Sequence, residues 1–199
     1  MTFMRKLLWA LFVVLGVAAN AQKMKITSGD LDFLKDQKNL IIKFDYSNAK
    51  FYKENISEKA YVEKRMEEIS KEKGNDGAKS WKADWQKSKN ESFQNKFITL
   101  WDKYSDIKSS NSAPYTLIVE TVWIYPGWYG GVMKQHSKLS TNLKFVDTKN
   151  PKKVLAEIES KEAPGDVGFV GAPNTNDRIA EGYAKTAKSL AGFVKKKVK

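Results

Sequence analysis

The chain has 199 residues, 35 lysines and arginines against 23 aspartates and glutamates, a net charge of +12 and no cysteine. The missing cysteine excludes disulfides, thiol catalysis, thiolate metal sites and a lipid anchor on a first mature Cys. A single histidine, His136, leaves little room for a zinc site or a His-based triad, and no metal or other cofactor is expected.

Arg5 and Lys6 make a basic start, Leu7 to Ala19 carries no charge, and Ala19-Asn20-Ala21 fits a signal-peptidase site. The apolar run is shorter than the about 20 residues that a bilayer-spanning helix needs. Residues 1–21 therefore read as a cleavable signal peptide. Residues 22–199 read as one exported domain, periplasmic or extracellular, with no membrane span. Loss of Arg5 and Lys6 takes the net charge from +12 to +10, which favours loose association with polyanions. Arginine is scarce: Arg5, Arg65 and Arg178 are the whole complement. Base and phosphate readout leans on arginine forks, so specific nucleic-acid binding is not expected.

Asp30 to Lys35 is compatible with a helical turn, and Leu40 to Tyr46 predicts a strand. Ser57 is a helix N-cap candidate ahead of Val62, Met66 and Ile69, and Gly74-Asn75-Asp76-Gly77 interrupts that helix. A second helical stretch, Ala78 to Tyr104, carries Trp81, Trp85, Phe93, Phe97 and Leu100. Its aromatic stripe drifts after Trp85, and Ser88-Lys89-Asn90-Glu91 has the capping-box form, so the stretch is compatible with two helices as well as with one. Lys82, Lys89, Lys96 and Lys103 recur every seven residues. They read as lysine stems covering the edge of a buried face, or alternatively as a basic groove for a polyanion.

Tyr115 to Tyr125 is apolar on both alternating sets, Leu117, Val119 and Trp123 on one and Ile118, Val122 and Ile124 on the other. That pattern predicts a central strand covered on both faces. Lys138 to Asp147 alternates with Leu139, Thr141, Leu143 and Phe145 inward, and Val154, Ala156 and Ile158 predict a further half-buried strand. A loop from Ala163 to Pro173 leads to a last helix near Asn176-Asp177 with Ala180, Tyr183, Ala187, Leu190 and Val194 on its apolar face. The expected fold is α+β: a single domain with a mainly antiparallel sheet of about four strands and the helices on one face. The order is strand, helices, three strands and a C-terminal helix.

The succession Tyr115-Thr-Leu-Ile-Val-Glu-Thr, Tyr125-Pro-Gly, Gly131-Val-Met, Phe145-Val-Asp-Thr, Val154-Leu-Ala and Arg178-Ile-Ala-Glu-Gly-Tyr-Ala-Lys is similar to a group of uncharacterised secreted bacterial proteins. The aromatic helix Trp81 to Tyr104 matches that group as well. More distantly, the three strands and final helix resemble small α+β envelope domains of curli-export lipoproteins. Neither resemblance implies a catalytic motif, and the chain departs from the lipoproteins in lacking their anchoring cysteine.

The segment Tyr125 to Gly131 joins two strands, and Tyr125, Trp128 and Tyr129 are the candidate ligand-binding residues. Their faces suit sugar rings or apolar groups of a partner, unless they fold back over the sheet edge. Gly165, Gly168 and Gly171 precede the last helix, where an anion could sit, although no phosphate-loop fingerprint is present and a structural loop fits equally. Glu120 lies in an apolar strand, where burial would raise its pKa and fit it for general-acid work beside Asp45 or Asp147. Two functions follow. The first is a non-enzymatic exported binding or envelope-associated protein with a glycan, peptide or protein partner. The second is a carboxylate-based hydrolase of envelope or dietary polymer.

Overall fold

The computed structural model describes residues 22–130, 133–165 and 174–198; the predicted signal peptide lies outside them. In chain order the elements are β1 (Lys23–Gly29), a short 3-10 turn (Asp32–Leu34), β2 (Asn39–Asp45), β3 (Lys50–Phe51), β4 (Ile56–Ser57), α1 (Glu58–Lys87), a π turn (Ser88–Ser92) and α2 (Phe93–Tyr104). Then come β5 (Lys108–Ser109), β6 (Tyr115–Tyr125), β7 (Trp128–Gly130), β8 (Met133–Gln135), β9 (Ser137–Asp147), β10 (Val154–Gly165) and α3 (Thr175–Lys197).

Eight of the strands form one sheet in the order β1-β10-β9-β6-β2-β5, with β3 beside the far end of β6 and β4 beside β3. The sheet is mixed. β1, β10, β9 and β6 are antiparallel, whereas β2 runs parallel to β6 and to β5. The α+β class stands, but the expected four-stranded, mainly antiparallel sheet does not. Three strands have only two residues each, too short to show a period, and β1 alternates lysine with Met24 and Ile26, so it reads as polar. The parallel placement of β2 is set by the crossover through α1 and α2, which local pattern does not reveal.

The helices lie on one face. Phe44 of β2 meets Phe97 of α2 edge-on at 5.6 Å and Tyr183 of α3 at 6.5 Å, and the Tyr183 hydroxyl bonds Thr121 of β6 at 2.6 Å. Leu117, Val119, Leu139, Leu143, Phe145, Ala156 and Ile158 line the sheet side of this core. Fully burying one such side chain stabilises by about 1.5–3 kcal/mol. α1 is broken at Gly74, whose φ of 75° and ψ of 175° are not helical. It doubles back there, which brings Tyr61 within 6.0 Å of Trp81 and lets Glu58 accept a 2.9 Å bond from the Trp85 indole.

Two expectations for the strands change. The helices lie over one face of β6, and a bulge between Thr121 and Trp123 changes which residues point to them. The extra residue, Val122, swaps the alternation: Ile124 joins Leu117 and Val119 under the helices, and Trp123 turns to the opposite face beside Ser140. A second irregularity between Val154 and Ala156 leaves Val154 46% exposed rather than in the core. The Ser88–Ser92 segment is also not a break between capped helices. Its residues continue as a π turn and no side chain caps α2.

Candidate functional site

The helix-free face of the sheet and the hairpin beyond β6 carry the site. The Val122 bulge puts the Trp123 ring outside, and its indole N–H donates to the Tyr52 carbonyl at 2.7 Å. The ring stacks on Tyr125 at 6.1 Å, and Tyr125 in turn meets Tyr52 edge-on at 6.5 Å. At the tip, the Gln135 side-chain oxygen accepts from the Tyr125 hydroxyl at 2.6 Å and from the Trp128 indole N–H at 3.1 Å. Trp128 is thereby held by its edge while the residue remains 44% exposed. Gly127 makes the hairpin possible: its φ is 68°, and a Cβ there would overlap the Gln135 carbonyl.

Two hollows border these aromatics, one at Trp123 and one at Tyr52 and Trp128. One, of about 480 Å³ on the helix-free sheet face, is lined by Lys50, Lys53, Trp123, Asn142, Glu159 and Lys161, among others. The other is a cleft of about 250 Å³ bounded by Tyr52, Arg65, Pro126, Trp128, Thr175 and Arg178. Both offer hydrogen-bonding groups beside an aromatic wall, the usual composition of a small polar ligand site.

Of the sequence-predicted ligand residues, Tyr125 and Trp128 are brought together by Gln135. Tyr129 lies on β7 with its backbone opposite Lys134, and its side chain lies outside the described residues. His136 is half-buried between β8 and β9.

Glu120 contradicts its expectation. It faces the helix-free side, where Lys144 pairs with it at 2.7 Å and the amides of Asn48 and Asn142 donate to it at 3.3 and 3.2 Å. Burial pushes this carboxyl up, but Lys144 and the two amides outweigh it and hold the pKa below the ordinary value. An acid kept ionised in this way is unsuited to donating a proton. Asp45 is beside it in the β2–β6 register, its own pKa lowered by the backbone and side-chain hydrogen bonds of Ser47. Asp147 is at the other end of β6, opposite Tyr115, and caps the following turn through Lys149 and Asn150.

Gly165 serves packing. A Cβ there would overlap the Ser137 hydroxyl and the Arg178 carbonyl, which are themselves joined at 2.9 Å. Gly168 and Gly171 lie outside the described residues. Three of the four heptad lysines have a partner. Lys89 is held by Glu58 at 2.7 Å and sits over Tyr46, Lys96 pairs with Glu181, and Lys103 lies over Tyr104. Among the described residues there is no acid or histidine cluster fit to hold a metal, and no helix long and apolar enough to cross a membrane.

No family model matches the chain, and no curated protein does. Among solved structures it is similar to two crystal forms of the PelC dodecamer from Paraburkholderia phytofirmans. Each is 12% identical and covers 86% of this chain and 98% of PelC, with TM-scores of 0.40 and 0.38. At that level PelC carries no assignment to any residue above. Sequence reasoning missed Tyr52, Arg65 and Arg178 as members of the site. The scarcity of arginine was the one signal available, since the two arginines beyond the predicted leader meet at a single cleft.

Proposed function

We propose that the chain is an exported, non-enzymatic binding protein of the bacterial envelope or exterior that holds a glycan against its aromatic ridge. The observation that carries this reading is Trp128. Its indole N–H is fixed by Gln135 while the residue stays 44% exposed at the rim of the cleft that it shares with Tyr52 and Arg65. A large apolar face exposed and rigid at once loses water readily to a flat partner, and sugar rings present such faces with hydroxyls around them. Lys50, Asn142 and Glu159 supply donors and acceptors for those hydroxyls on one side of the ridge.

Titration calorimetry against a panel of neutral and acidic oligosaccharides tests it. Trp128→Ala is expected to weaken the binding by at least tenfold, which is about 1.4 kcal/mol. Absence of binding across the panel, or binding indifferent to that change, overturns the reading.

A further inference from the structure

Two irregularities of the sheet fall at the same level. On one side of β9, Val122 is the extra residue of β6 between the pairs Thr121–Thr141 and Trp123–Ser140. On the other side, β10 carries one residue more than β9 between the pairs Ser160–Thr141 and Ala163–Leu139. Ser140 is therefore flanked by a bulge in both neighbouring strands. The bulge in β10 holds Glu162 at a φ of 53°, in the left-handed region that side chains rarely adopt, and the Glu162 amide N–H donates to the Ser140 hydroxyl at 3.1 Å. Bulges bend a strand and re-aim its side chains, and here two of them hollow the face between them. The cavity of about 480 Å³ is at this place, with Val122, Ser140, Lys161 and Glu162 in its lining. Backbone held in such a conformation gathers at ligand sites, where its surroundings over-determine it.

The rest of the lining sorts by chemistry. Trp123, turned outward by the bulge in β6, is fixed at its indole N–H by the Tyr52 carbonyl and is stacked on Tyr125, so its ring is a rigid apolar wall. Asn55 and Asn142 bring side-chain amides. Three lysines and two glutamates complete the rim, and both glutamates are engaged. Glu159 pairs with Lys161 at 3.0 Å and stands opposite Lys25, and Glu162 pairs with Lys138 at 2.7 Å. Lys161 in turn stands opposite Lys23 of β1, a like charge. On the β3 side, Lys50 and Lys53 are exposed, and their side chains make no ion pair or hydrogen bond among the described residues. An anionic group entering beside Trp123 meets two uncommitted cations, whereas the acids that would repel it are already neutralised.

We infer that this double-bulge hollow seats an acidic sugar unit, its ring against Trp123 and its carboxylate over Lys50 and Lys53. The inference rests on the glycan reading and names the class of sugar and the hollow that selects it. The test uses trigalacturonate and trimannuronate, each beside its methyl ester, which keeps the rings and removes the charge. Titration calorimetry is run on the mature chain.

At least one acid is expected to bind tenfold or more tightly than its ester. Lys50→Gln combined with Lys53→Gln should erase that margin. Lys152→Gln combined with Lys153→Gln removes the same charge from the exposed connection at the other end of β9 and β10, and should leave the margin intact. That control separates a site from the general attraction of a basic chain. Trp123→Leu should weaken acid binding at least tenfold, and the exposed lysines remain informative where that variant fails to fold. Equal, Trp128-dependent affinity for acid and ester would refute the acidic seat and leave the glycan reading standing. A margin that survives the Lys50 and Lys53 changes, or that falls equally in the control pair, would also refute the seat. Binding of neither form would remove both ideas.

Discussion

Glu120 is 8% exposed on a sheet face without helices, and it remains ionised because Lys144, Asn48 and Asn142 converge on it. Its folded pKa lies below the ordinary 4.5, so the stability it contributes is complete above about that pH and is lost as pH falls through the folded value. Glu120→Gln should therefore cost on the order of 1 kcal/mol at pH 7, the usual net worth of a hydrogen bond to a charged group in a half-wet setting. The difference from the parent should shrink steadily as the medium is made acidic enough to protonate the carboxyl, when urea unfolding is followed across that range. Sequence exposed this acid but not its surroundings, because Lys144 and Asn142 sit on β9 and Asn48 in the turn after β2. Trp128 was legible for the opposite reason: Pro126 and Gly127 mark a turn, and a tryptophan beside a turn has few places to hide. The arginine cleft was not, since Arg65 and Arg178 meet only once α1 and α3 are both in place.

The π turn reconciles two helical segments that would otherwise face different ways. At about 100° per residue, the spacing from Trp85 to Phe93 overshoots whole turns by about 80°, yet both rings are buried, as are Phe97 and Trp101. One extra residue accommodated at Ser88–Ser92 removes the mismatch. Deleting exposed Asn90 should restore a regular helix with the same face buried and change the thermal midpoint by no more than a few degrees. Deleting exposed Asn95 instead should rotate Phe97 and Trp101 away from Phe93 and abolish the cooperative transition in circular dichroism. The drift of the aromatic stripe is visible in the sequence, but its cause is not. Ser88 and Glu91 have the spacing of a cap, and only the backbone shows that the chain never leaves helical geometry there. β9 was fully legible because one of its faces is wet and the other dry, whereas the bulge in β6 hid which of two apolar sets faced inward.

Across the whole molecule, the pairings join residues far apart along the chain. Lys23 of β1 lies opposite Lys161 of β10, and Ile41 of β2 lies beside Thr116 of β6 with both helices between them in sequence. Such distant closure is slow, so refolding from urea, followed by tryptophan fluorescence, is expected in the range of about milliseconds to seconds rather than microseconds. Distance also explains why class was readable and architecture was not. Strand and helix signals are local, while the place of β2 beside β6 depends on a long helical excursion that no window of sequence contains. The partnership of β1 with β10 has a consequence for a chain during its synthesis. Its first strand finds no neighbour until most of the polypeptide has left the ribosome, so that edge of the sheet is the last to close.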